Sequence, residues 1–563
     1  MKKYITTIAF SSLLLMTGCD FLDYDESQGK TQEEAYGYFE NLKSLAITAY
    51  RELPKDYGVI GGALREAATD NAVSSWTSNA VYDIYNNVWS PKHLVDDRWD
   101  KYYPVIHDIN SFLELYSEDV LKRFEWDDNY EKNIKMCRNS LYEVRAMRAF
   151  YYFELIKRYK DVPLLKNTCT LDEVNSLPKT PFKDVLQFMV EEWDEVADKL
   201  PEDYENFYGE TGRVTKGAAL AFKSRALLYA ASPLYADFSG VTWEQAAKAA
   251  LDVINLGVYS LPSLNSDPIF QTGLTGHEIL TSPQLIFEFR ESSQTNDFEK
   301  KNLPPTFTPG LSKGINNPTQ NLVDAYEFKD DGAEFDWDNP EHVKNMYYDK
   351  NGQPTRDPRL YINVLCNGMK YMDKEVETFV GGLYGPHAEE GYTLTGYYLK
   401  KLLNETVKLN PNGEVKKPHH YPGYRYAEIL LNYAEALNEF QGPDYKDAEF
   451  TMSAREALNK VRSAAGMPEV VAADQAAFRT KVRNERRVEL AFEDHRFWDI
   501  RRWKIGEVVK DIYGVRIENS YGQISYKKEK IQTRIWDDKM YFYPIPQKEV
   551  YVNPNLTQNP GWE

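Results

Sequence analysis

Between residues 483 and 503 the chain reads RNERRVELAFEDHRFWDIRRW, gathering Arg486, Arg487, Glu489, Glu493, Asp494, His495, Arg496 and Asp499. A histidine set among carboxylates and guanidinium groups is the raw material of general acid–base chemistry. The apolar residues interleaved with it, Val488, Leu490, Phe492, Phe497 and Trp498, point elsewhere. They draw the segment into a core, where each arginine must meet a carboxylate. We read it as a structural latch. A glycosidase needs two carboxylates facing one sugar bond, and 86 Asp and Glu make such pairs unavoidable by chance. No HExxH, GxSxG, P-loop or Rossmann glycine pattern is present, so no catalytic residue is assigned. Asp349, Asn351 and Asp357 in YYDKNGQPTRD (347–357) have calcium-type oxygens, but the glycine falls too early for an EF-hand. That stretch reads as a turn, and no metal or cofactor is expected. His419-His420, next to Pro418, reads as a loop pair, exposed or packed.

Sugar recognition asks for a different set: an aromatic face for the C–H side of a pyranose, with amide, carboxylate and guanidinium partners for its hydroxyls. Trp76 stands in the polar run SSWTSN, with Arg65, Asp70 and Asn71 nearby. Arg290 and Phe298 follow the LIFEF run, Trp337 lies in EFDWDNP and Tyr384 in GGLYGPH. These are the candidate ligand residues, with Trp337 and Tyr384 expected to be exposed. Tyr82, Tyr85 and Trp89 recur at helical spacing and read as a core face.

Helices must position these residues. Segment 141–159 carries apolar residues on two faces, as in the middle of a stack. Segment 216–231 is alanine-rich and stops at Ser232-Pro233. Segment 426–440 repeats the theme and breaks at Gly442-Pro443. We expect a mainly α chain with minor β, built on four tetratricopeptide-type pairs. They are 35–53 with 102–115, 141–160 with 181–200, 216–233 with 243–257, and 425–441 with 449–465. Two loop-rich insertions, 54–101 and 258–424, interrupt the frame and are expected to form the ligand-facing part.

The first residues carry a different message. Lys2 and Lys3 precede a short apolar run that reaches LLLMTGCDFLDYDES at 13–27. Such a run is too short to span a bilayer permanently and reads as a secretory signal, residues 1–18. The small residues before Cys19 resemble a bacterial lipobox, which implies acylation of Cys19. Residues 19–34 then form an acidic tether. The net charge of −19 argues against a nucleic-acid ligand. Cys137, Cys169 and Cys366 are odd in number and suggest no disulfide framework.

Several separated stretches resemble the SusD/RagB lipoproteins of Bacteroidetes. They include EVRAMRAFYYFELIKRYKDVPLL at 143–165, NLVDAYEFKDDG at 321–332, RDPRL at 356–360 and RYAEILLNYAEALNE at 425–439. ALNKVRSAAGMP, the 483–503 segment and YPIPQKEVYVNPNLTQNPGW at 543–562 continue the likeness in the same order. The resemblance implies a SusD-like fold as a single domain over 35–563. It also implies a non-enzymatic protein on the extracellular face of the outer membrane. Such a protein binds a glycan and delivers it to a SusC-like TonB-dependent transporter. A peptide or glycoprotein cargo, or an extracellular glycoside hydrolase, are the alternatives. Glycan identity, linkage and chain length are not encoded in any motif.

Overall fold

The computed structural model describes residues 36–203, 210–271, 277–472 and 474–563. The signal segment, Cys19 and the acidic tether lie outside them.

The frame consists of α1 (Phe39–Ile47), α2 (Trp99–Leu115), α3 (Tyr130–Tyr159), α4 (Phe182–Ala197), α5 (Lys216–Ala231) and α6 (Trp243–Asn255), followed after the large insertion by α7 (Tyr426–Gln441), α8 (Ala454–Ala464), α9 (Gln475–Glu489) and α10 (Arg496–Arg502). Local chemistry fixes their ends. Thr215 Oγ1 accepts from Ala218 N at 3.2 Å to start α5, and Ser232 leaves the helical region ahead of Pro233 to stop it. Thr242 with Gln245 and Ser453 with Glu456 form capping boxes on α6 and α8. The alanines of α5 let both neighbours approach closely.

α3 packs on α4, α4 on α5, α5 on α6, α6 on α7, and α7 on both α8 and α9. Three of the expected pairs are therefore packed neighbours. The first pair is looser: α1 and α2 both lie chiefly on α3, and segment 35–53 meets α2 mainly through the turn Thr48–Tyr50 and the Arg51–Asp108 ion pair (2.5 Å). α3 itself begins at Tyr130, well before the apolar stripe starting at Leu141. Its first turns bury Ile134, Met136 and Cys137 between charged residues that mask the period in the sequence. Since α6 meets α7, the 258–424 insertion leaves the stack and returns to it. Buried apolar side chains from Phe39 to Trp562 join in one cluster.

Strands belong mainly to the insertions and the C-terminal part. β1 (Leu285–Thr295) pairs antiparallel with β2 (Lys417–Arg425). β3 (Asp511–Ser520) and β4 (Gln523–Thr533) make a hairpin. His419 and His420 lie on β2, not in a loop, and both are buried. Ala72–Ser74 pairs with Asn316–Pro318, which ties the smaller insertion to the larger one. Tyr85 and Trp89 are core residues, but they follow a short 3-10 turn, Ala80–Ile84, and share no helix face. Trp89 instead meets Tyr543 and Trp562 edge-on.

Candidate site between the two insertions

Along β2 side chains alternate, so His419 and Tyr421 share one face. The short helix Asp297–Asn302 lays Phe298 across that face, 6.3 Å from each ring centroid. From the smaller insertion, Asp56 Oδ1 accepts from Gly58 N (2.8 Å) and Val59 N (2.9 Å), which bends the chain toward β2. Tyr57 then donates to the Pro422 carbonyl at 2.8 Å and meets Tyr421 edge-on at 5.2 Å. Glycine is strongly favoured at Gly58, where the bend turns. Its φ is +77°, and a Cβ would stand 2.6 Å from the Arg65 guanidinium. Asn316 stitches the walls together, accepting from Leu64 N (2.9 Å) and donating to Asn302 Oδ1 (2.7 Å).

These elements enclose a cavity of about 460 Å³, within the size range of small-ligand sites. Phe298 and Tyr421 supply its apolar surface, and Gln294, Asn302, Asp297 and Lys301 its polar groups. His419 is fully buried. Its Nε2 lies 3.2 Å from Glu299 Oε2, while its Nδ1 has no protein partner. Burial first, then the Asp56 carboxylate, raises the Tyr421 phenol well above its ordinary value, so the hydroxyl stays neutral. The arrangement suits a neutral, hydroxyl-rich ligand. Among the described residues no His, Cys, Asp and Glu group is arranged to hold a metal ion. Asp349 Oδ1 accepts from Asn351 N and Gln353 N, each at 2.8 Å, closing the turn expected there.

The other residues singled out in the sequence are dispersed. Arg65 is 2% exposed and pairs with Asp96 (2.9 Å) and Asp494 (2.5 Å). Asp70 is also buried, between Arg487 (2.9 Å) and Arg496 (2.8 Å). Both belong to the latch side. Trp76 is half-buried, with the Lys313 ammonium 4.6 Å from its ring. Beside it Thr77 donates to Glu390 at 3.2 Å, so three loops form a ledge there. Arg290 is exposed, bonded to Glu288 and to Thr211 (3.0 Å). Trp337 is half-buried and donates to Asp324 at 3.1 Å. Tyr384, expected at the surface, is 1% exposed and packs on Phe307 at 5.1 Å, pinning its loop inward. Only Phe298 of the seven lines the cavity between the insertions. Asp56, Gln294, Lys301, Asn302 and Tyr421 escaped sequence reading. The alternation of His419 and Tyr421 in HHYPGY was the one available signal.

The latch is interior, as its apolar residues require. Arg425 pairs with Glu489 (2.6 Å) and Glu493 (2.7 Å), Arg359 with Asp357 (2.6 Å) and Glu485 (2.5 Å), and Arg502 with Glu435 (2.6 Å) and Asp499 (2.7 Å). Burial, aided by the Arg225 and Arg486 charges, pushes His495 well below the ordinary histidine range, so it is neutral.

Comparison with known proteins covers nearly the whole chain. A SusD family model matches residues 284–562, and a model described as starch-binding associating with outer membrane matches residues 20–228. A SusD-like protein from Bacteroides fragilis shares 27% identity with a TM-score of 0.77, covering 95% of this chain and 99% of its own. A SusD-like carbohydrate binding protein from the same species shares 26% identity with a TM-score of 0.74, covering 93% and 99%. A SusD-like protein from Formosa agariphila is 22% identical, over 95% of this chain and 92% of its own. With both halves of the sequence and the helical frame matched in order, this chain belongs to the SusD family.

Proposed function

We propose that the chain is an outer-membrane lipoprotein that captures glycans in the cavity beside Phe298 and hands them to a SusC-like TonB-dependent transporter. The observation that carries this reading is the cavity itself, built where the two insertions meet and walled by aromatic rings, amides, three carboxylates and two lysines. A pyranose needs such a mixture, since each hydroxyl taken from water must find a partner. The relative of 26% identity described as carbohydrate binding supports the ligand class. The family description of association with the outer membrane supports the location.

An acyl chain on Cys19 would hold the body at the extracellular face, and the helical frame would offer the broad surface a stable transporter complex requires. The chain acts by binding, without cleaving its cargo. Asp56 is already engaged by two backbone N–H groups, which suits shaping a wall better than proton transfer.

The test is affinity electrophoresis of the mature protein through gels containing neutral polysaccharides. Retention is expected, lost in a Gln294→Ala/Asp297→Ala variant and kept in Trp337→Ala. Absence of retention in every polysaccharide, together with capture of a peptide pool, would overturn the reading.

A further inference from the structure

A second cavity, of about 300 Å³, shares only Lys55 and Asp56 with the one at Phe298. Its floor is the latch, through Asp494, His495 and Trp498, together with Glu154, Lys157 and Arg158 of α3. Arg425, Arg359 and Arg502 of the latch are each shared by two carboxylates, but the groups at this floor are less fully paired. Asp494 Oδ2 accepts from Arg65 Nη1 (2.5 Å) and Trp498 Nε1 (3.4 Å), while its buried Oδ1 has no partner. The Lys157 ammonium gives one hydrogen bond, to Glu154 (2.5 Å), and rests 4.4 Å above the Trp498 ring. The buried Nε atoms of Arg65 and Arg158 are also unpartnered. Buried groups left in this state favour a guest that carries both donors and acceptors.

The rim adds a charge preference. Arg51, Lys55 and Lys101 are exposed there, and among the described residues Lys55 and Lys101 enter no ion pair. Of the other lining cations, Arg51 pairs with Asp108, Arg65 and Arg98 with Asp96, Lys157 and Arg158 with Glu154, and Arg225 with Glu428, so the charge left open to a guest is that of Lys55 and Lys101. Two unpaired ammonium groups at the rim of an acidic body favour an anion at that mouth.

We propose that this cavity is a second binding site, taking a small hydroxylated carboxylate of monosaccharide size. The carboxylate sits at the Lys55–Lys101 rim, and a hydroxyl donates to the Asp494 carboxylate, whose side chain is 22% exposed. A uronic-acid sugar and a short hydroxy acid share this chemistry. The site does not depend on the neutral-glycan reading of the other cavity.

Isothermal titration of the mature chain with glucuronate, glucose and lactate tests it. Glucuronate is expected to bind with one-to-one stoichiometry, and glucose, lacking the charge, at least tenfold more weakly. Lys101→Glu, an exposed change on α2 that touches no partner, weakens glucuronate at least fivefold. Gln294→Ala, which lines only the Phe298 cavity, leaves it unchanged. Lactate binding equal to glucuronate assigns the site to free hydroxy acids, and a weaker lactate assigns it to sugar acids; either result supports the proposal. No heat with glucuronate, equal affinity for glucose, no effect of Lys101→Glu, or loss in Gln294→Ala would each overturn it.

Discussion

The latch and the cavity between the insertions use the same residue types to opposite ends. In the latch the central charges are matched, Arg425 being shared by Glu489 and Glu493, and Arg502 by Glu435 and Asp499, while Arg501 keeps two buried nitrogens without a partner. At the cavity, Gln294 and Asp297 reach solvent and His419 Nδ1 has no partner. A saturated network has no free group for a ligand and can only hold shape. An unsaturated one keeps hydrogen-bonding capacity for a guest. Polar composition alone does not separate scaffold from site; open hydrogen-bonding capacity marks a site where it borders a cavity.

Breaking the saturation should produce the largest effect. Arg425→Ala leaves Glu489 and Glu493 buried with one guanidinium fewer, a loss of about 3–5 kcal/mol for this type of change. Thermal unfolding is expected to show a fall of many degrees. A shift of a degree or two would mean that the network relaxes easily and is not a latch.

The pH dependence should separate the two kinds of carboxyl. Burial would raise Glu435 and Glu489, but Arg502 acting on the first, and Arg425 and Arg359 on the second, outweigh it and hold both at about 2. Their stabilisation is complete above the unfolded value of 4.5 and is lost as pH falls toward 2. Glu66 runs the other way. Burial, only partly opposed by hydrogen bonds from Asn71 and the Phe492 N–H, lifts it to about 7, and its Oε2 has no partner. The folded state therefore prefers the protonated acid, and stability falls as pH rises from 4.5 through 7. Glu66→Gln should abolish that second slope and gain up to about 3 kcal/mol at pH 8, read from denaturant midpoints across pH. An unchanged slope would remove Glu66 from the account.

This contrast also explains what the sequence disclosed. Charges interleaved with Phe492, Phe497 and Trp498 are drawn inside, where most meet a partner, so the latch was legible without a structure. So were most helices, through apolar period and stop signals such as Ser232-Pro233. The cavity was not. Phe298, singled out by its place after a strand, lines the cavity, whereas Tyr384, in an equally loop-like setting, is sealed against Phe307. An aromatic residue in a loop carries no period to show which way it faces. Asn316 mattered through a partner 252 positions away, Leu64, and single-sequence spacing contains nothing of that kind.

Gly58 joins the two regions, since the bend that shapes the cavity wall also leaves room for Arg65 of the ion-pair network. A Gly58→Ala change adds a methyl at φ +77° and displaces the guanidinium from Asp96 and Asp494. A loss of about 1–3 kcal/mol follows from strained backbone alone. A variant as stable as the parent would show that the bend and the latch are independent.

The smallest expected effect on stability is at Trp76, and it tests where the cavity ends. The Lys313 ammonium adds about 0.5–1 kcal/mol to the partial packing of its half-buried ring on the core, so Trp76→Ala should lower the unfolding midpoint only modestly. Binding is a separate matter. Ser74, two residues earlier, pairs with Asn316, which lines the cavity, so the ledge adjoins the cavity through one short ladder. If the ledge extends the site, a long oligosaccharide reaches the indole while a short one stays beside Phe298. Trp76→Ala should then weaken long ligands about fivefold, the equivalent of about 1 kcal/mol of aromatic contact, and leave trisaccharides unchanged. Equal loss at every chain length would place Trp76 in the structure of the cavity wall, and no loss at any length would confine recognition to the space around Phe298.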